Sequence, residues 1–248
     1  MSRLLAQFAL ALFIALGACA AAMAQDYVVI DSSVDTVKPG ATLVSGAVID
    51  VPEGGRIVLI TASGGVKLIA GPFHGPLPKT ETGSAPSGGS QIVDAMAGLF
   101  RNPDRRGEPY VARGMDWRTE MVKTRDDVLA IDASDGGDMC VLDQGAAALI
   151  HDPDRPGAMM VQSESGPKAT VEWKKGVLRQ PWPWAVPLAD GELYLFEQAQ
   201  ATSVATAIVH VLKLEPAADD VRTAAQMAAS GCRDQALLLL ALVAKSAK

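Results

Sequence analysis

The feature that most constrains this chain is a pair of β-branched runs, "RIVLITA" (56–62) and "VKLIA" (66–70), separated only by "SGG" (63–65). Two such runs joined by a short glycine-bearing loop specify a β-hairpin. The same punctuation recurs upstream. "YVVI" is β-rich, "KPGA" (38–41) has the Pro-Gly order of a type II turn, and "VPEGG" (51–55) is a further turn. Downstream, "GPFHGPLP" is expected to end the second strand, because prolines cannot donate ladder hydrogen bonds.

The N-terminus carries a different signal. Arg3 precedes the apolar stretch "LLAQFALALFIALGA", and Ala22-Met23-Ala24 forms a small-x-small site. This order is that of a secretory signal peptide over 1–24, cleaved after Ala24. The strongly apolar part is shorter than the ~20 residues of a spanning helix, so no transmembrane helix is expected in the mature chain. "LGAC" offers a competing reading, a lipoprotein box with lipidation at Cys19. Plain export to the periplasm is preferred, and an outer-membrane lipid anchor is the alternative.

After cleavage the chain keeps two cysteines, Cys140 and Cys232. An oxidising compartment favours a disulfide between two such residues. Two separately buried thiols are the other reading.

Residues 78–90 are rich in Pro, Gly, Ser and Thr and read as a linker. Ile92, Val93, Met96, Leu99 and Phe100 then fall at helical spacing, which predicts a short helix over 91–101. The stretch to residue 127 is turn-rich, and we assign all of 78–127 to a linker containing that helix.

From residue 128 short β candidates recur: "MCVL", "AALI", "AMMVQSE", "ATVEW", "GELYLFEQ" and "AIVHVLKL". Their spacing predicts an immunoglobulin-like β-sandwich over 128–214. Residues 215–248 change character. They predict a helical hairpin broken at Gly231, with Asp219 and Asp220 in its first turn.

The candidate chemistry is sparse. No G-x-S-x-G elbow is present, and His74, His151 and His210 lack local motifs. "DASDGGD" (132–138) places acids at i, i+3 and i+6, which misses the calcium-loop spacing, so it reads as a solvated loop. His151 opens the turn "HDPDRPG" and reads as structural. Zinc and phosphate motifs are also missing. No catalytic residue, metal site or cofactor is therefore assigned, and the chain is read as non-enzymatic. The net charge of -6 disfavours nucleic acid and anionic membrane surfaces. Aromatic residues are only 5% of the chain, yet Trp173, Trp182 and Trp184 cluster around "PWPW". They read as core, or as a ligand platform for a glycan or peptide.

Taken together, "VKPGATLVSGAVIDVPEGGRIVLITASGGVKLIAGP" (37–72) resembles the FecR-like periplasmic β domain, placed here at 26–77. The resemblance implies a small β module without catalytic residues, used in signal relay or as a generic envelope module. The regulator type also carries a cytoplasmic segment, which is not part of this pattern. "VPLADGELY" and "GCRDQA" resemble the immunoglobulin-like segment of exported proteobacterial proteins. That likeness implies a fixed partner for Cys232, and Cys140 is its only candidate. The expected function is a periplasmic interaction or signalling-accessory module with an envelope protein partner. The alternative is a lipid-anchored protein that binds glycan or peptidoglycan through its tryptophans.

Overall fold

A computed structural model describes residues 26–79, 89–101, 121–134, 136–143, 145–164, 166–199, 204–213 and 218–247. The signal peptide, its cleavage after Ala24, Cys19 and most of the expected linker lie outside these residues.

The first body is built from β1 (Tyr27–Ser32), β2 (Thr42–Leu43), β3 (Val48–Val51), β4 (Arg56–Thr61), β5 (Val66–Ala70) and β6 (Phe73–Pro76). Strands β2-β1-β4-β5 form one antiparallel sheet, and β3 pairs with β6. The β4–β5 hairpin forms as its sequence predicts, with Ile60 opposite Val66 and Gly64 in the loop at φ +88°. The Lys38–Ala41 turn closes with the Ala41 N–H donating to the Lys38 carbonyl at 3.0 Å, and Gly40 has the positive φ such a turn requires.

The segment after β5 ends that strand at Ala70 as expected, but it does not pass straight into a linker: Phe73–Pro76 forms β6, which pairs with β3 from Val51 to Val48 in a separate two-stranded sheet. Its prolines are tolerated because this is a two-stranded ribbon, in which each strand keeps an unpaired edge. Gly71 makes the turn into β6 possible. A Cβ there would lie 1.8 Å from the Pro52 carbonyl oxygen.

The apolar runs of β1 and β4 are explained by two buried faces. Tyr27, Val29, Ile57 and Leu59 pack with Ile49, Val51, Ile69 and Leu77. The alternate residues Val28, Ile30, Val58 and Ile60 face a different core, which is made by helices.

Those helices are α1 (Gly89–Arg101), α2 (Arg125–Val128) and, after the second β body, α3 (Asp220–Ala229) and α4 (Arg233–Ser246). Helix α1 begins two residues before its predicted start and buries Val93, Met96, Ala97 and Leu99. It is core, not part of a linker. Thr124 and Asp127 form a reciprocal capping box at α2. Asp219 caps α3, its side chain accepting from the Arg222 N–H at 2.8 Å. Gly231, at φ +90°, breaks the hairpin where the sequence predicts. In α4, Leu238, Leu239, Leu240 and Val243 are buried. Each such side chain contributes about 1.5–3 kcal/mol. Among the described residues no helix is long and apolar enough to cross a membrane.

The second body contains β7 (Ile131–Asp132), β8 (Gly137–Val141), β9 (Ala148–Ile150), β10 (Gly157–Ser163), β11 (Lys168–Trp173), β12 (Arg179–Pro181), β13 (Glu192–Gln198) and β14 (Ala205–Val211). One sheet has the order β11-β10-β13-β14-β8, and the other β12-β9-β7. Two pairings are parallel, β8 with β14 and β7 with β9. Both sheets contribute to one core containing Ile131, Val141, Leu149, Val161, Trp182 and Phe196.

The chain is thus mainly β with a C-terminal helical pair. The helical core also takes in Cys140, Ala148 and Ile150 from β8 and β9. Helices α1, α3 and α4 therefore lie between the two β bodies. A disulfide joins Cys140 in β8 to Cys232 just before α4, with Cα atoms 5.8 Å apart.

Candidate functional site

The three clustered tryptophans do not form one platform. Trp173 and Trp182 are 4% and 6% exposed and belong to the core. Trp182 stands edge-on to Tyr194 and Phe196, with centroids 5.1 and 6.4 Å away. The ligand-platform reading of these two residues is therefore corrected: large rings in an alternating strand pattern bury more apolar area inside than they could in a shallow surface site.

Trp184 is different, being 90% exposed. It sits on a turn in which the Val186 N–H donates to the Pro183 carbonyl at 3.0 Å. The Trp182 indole N–H donates to the Val186 carbonyl at 2.6 Å. The buried ring of Trp182 thereby anchors the turn that presents the exposed ring of Trp184.

A second arrangement arises from two strings that look like ordinary turns. Strands β7 and β9 are parallel neighbours, with Asp132 opposite Ile150. Their C-terminal ends therefore lie together. Ser134 follows β7, His151 follows β9, and the Ser134 hydroxyl is 2.8 Å from His151 Nδ1. His151 Nε2 is 3.0 Å from the Arg155 carbonyl oxygen. A carbonyl only accepts, so Nε2 carries the proton and Nδ1 accepts from the serine. The imidazole is 2% exposed and tilts against Trp173, with centroids 5.4 Å apart. Burial pushes its pKa below the ordinary value, opposed by the Arg155 carbonyl and by Asp152, with the Arg155 cation adding to the lowering. Ser134 is exposed, and its N–H donates to Asp132 Oδ1 at 2.6 Å.

The sequence reading missed this pair, because each member sits in a plausible turn and 17 residues separate them. Only the parallel pairing of β7 with β9 brings them together.

The other histidines behave more simply. His74 is exposed in β6 and lies 3.7 Å from the exposed Asp50. His210 is half-buried in β14, its Nε2 3.1 Å from Asp138 Oδ1. Among the described residues no group of three His, Cys, Asp or Glu side chains could hold a metal ion. An open cleft of about 530 Å³ lies between α2, the β8–β9 loop and β12, lined by Asp126, Leu129, Ala146, Ala148, Arg179 and Pro181. Trp184 is not part of its lining.

No family model, curated protein or solved structure matches this chain.

Proposed function

We propose that this chain is an exported, periplasmic module of the cell envelope, and that it works by docking a protein partner through Trp184. The observation that carries the reading is the 90% exposure of that ring on an anchored turn. An exposed indole is poorly used by an isolated molecule, whereas tryptophan is among the side chains that dominate protein interfaces. The anchored turn fixes the backbone that carries the ring before binding, so less conformational entropy is lost on docking.

Export rests on the leader at 1–24, and the FecR-like assignment of 26–77 on the glycine-punctuated pattern and its small β body. The immunoglobulin-like reading of 128–214 is supported by two sheets sharing one core. The two parallel pairings depart from the usual antiparallel pattern.

The test is mild crosslinking in the native envelope, comparing wild type with Trp184→Ala. The expected result is one protein adduct that disappears in the variant while the leader is processed normally. An adduct unchanged by Trp184→Ala overturns the docking role. If the Trp184 fluorescence instead shifts with envelope polysaccharide and no protein adduct forms, the glycan-binding alternative replaces it. An intact-mass N-terminus at Gln25 supports free export, and a lipid-modified Cys19 makes the protein an anchored one.

A further inference from the structure

We propose that Ser134 is a nucleophile that accepts an acyl group from an activated carbonyl compound, with His151 as its base. This goes beyond the docking function and uses a different surface.

Three observations converge on it. Ser134 is an exposed residue, while its base is almost fully buried, so the serine lies on the surface and the imidazole is shielded from bulk water. The imidazole tautomer is set by the Arg155 carbonyl at 3.0 Å, which leaves the Nδ1 lone pair facing the hydroxyl at 2.8 Å. The serine main chain is pinned by Asp132 at 2.6 Å, so the hydroxyl is held at the base. A nucleophile, a base within hydrogen-bond reach and a group that orients the base are the elements of activation. Here a backbone carbonyl is the orienting group. Burial keeps the imidazole neutral near pH 7, the form in which it can take a proton.

The step balances without a further reagent. Ser134 Oγ attacks the carbonyl carbon of an ester and forms a new C–O bond. Its proton passes to His151 Nδ1. The bond to the leaving alkoxide breaks, and Nδ1 returns the proton to it. The products are acyl-Ser134 and one alcohol. The transient imidazolium keeps its Nε2–H bond to the Arg155 carbonyl. The turn after His151 carries Asp152 and Asp154 against the single Arg155, so uncharged acyl donors suit the site better than anionic ones.

The probes are an uncharged alkyl fluorophosphonate and a p-nitrophenyl ester, used on the purified full chain with intact-mass and peptide mass spectrometry. The expected result is one adduct per chain, on Ser134, that is lost in Ser134→Ala. His151→Gln, shown to be folded by circular dichroism, should label about a hundredfold more slowly. If that variant does not fold, the position of the wild-type adduct decides the matter. No adduct on Ser134 where a serine hydrolase is fully labelled overturns the proposal. So does labelling spread over several exposed hydroxyls, or an unchanged rate in folded His151→Gln.

Discussion

Gln235 grips Cys140 by both of its main-chain groups. The Cys140 N–H donates to Gln235 Oε1 at 2.5 Å, and Gln235 Nε2 donates to the Cys140 carbonyl at 3.1 Å. The same Nε2 reaches the Val128 carbonyl at 2.7 Å and the Ala130 carbonyl at 3.1 Å. Cys232, one helical turn earlier, holds the Cys140 side chain through the disulfide. The "GCRDQA" string thus binds one strand residue by its sulfur and its backbone together. Replacing Gln235 with Leu leaves one buried N–H and several carbonyls without their partner. The expected loss is roughly 3 kcal/mol, read from the urea midpoint at unchanged slope. Gln235→Glu should be no better, since a carboxylate cannot donate to those carbonyls.

The disulfide closes a sequence separation of 92 residues. In the chain-entropy account such a crosslink is worth about 4–5 kcal/mol. The double replacement of Cys140 and Cys232 by Ala should lower stability by up to that amount. A midpoint equal to that of the wild type would show that the packing of α4 already suffices.

The two neighbouring tryptophans should separate cleanly. Trp182→Ala removes a core ring and the anchor of the 183–186 turn, at about 3–5 kcal/mol. Trp184→Ala should change stability by no more than about 0.5 kcal/mol. Equal losses in denaturant titrations would contradict the core-and-display division.

Acid should weaken the fold through His151. Its folded pKa is lowered by burial, so the unfolded chain takes up the proton first as pH falls below the ordinary value near 6.5. Stability is therefore complete above that pH and declines as pH drops toward the lowered folded value. Urea midpoints measured from pH 8 to 5 check this. In a folded His151→Gln protein the decline over that range should be smaller.

Gly71→Ala should be strongly destabilising, because the new Cβ would fall 1.8 Å from a backbone oxygen that cannot turn aside. Gly54 has a positive φ but faces open space, and its replacement should cost less. A thermal-shift comparison of the two alanine variants tests the ranking.

Local pattern carries a large part of this architecture. The β4–β5 hairpin, the Gly40 turn, helix α1 and the break at Gly231 each follow from residues within a few positions of one another. The β6 strand was hidden because prolines suppress strand readings, and only its partner β3 makes the segment a strand. The Ser134–His151 pair was hidden for a similar reason. Turn chemistry explains each member alone, and a parallel pairing between distant strands unites them.

The unbroken apolar runs in "YVVI" and "RIVLIT" already required that both faces of β1 and β4 be covered, because alternate side chains of a strand point to opposite sides. The same is true of the hairpin-forming loops, the helix caps and the pair of cysteines available for one bond. What covers each face is a matter of tertiary structure. Helices from the end of the chain fill the space between two β bodies, Trp182 turns inward and Trp184 outward, and a serine meets a histidine. Local sequence sets which surfaces must be buried, whereas the partner that buries each one depends on contacts between segments far apart in the chain.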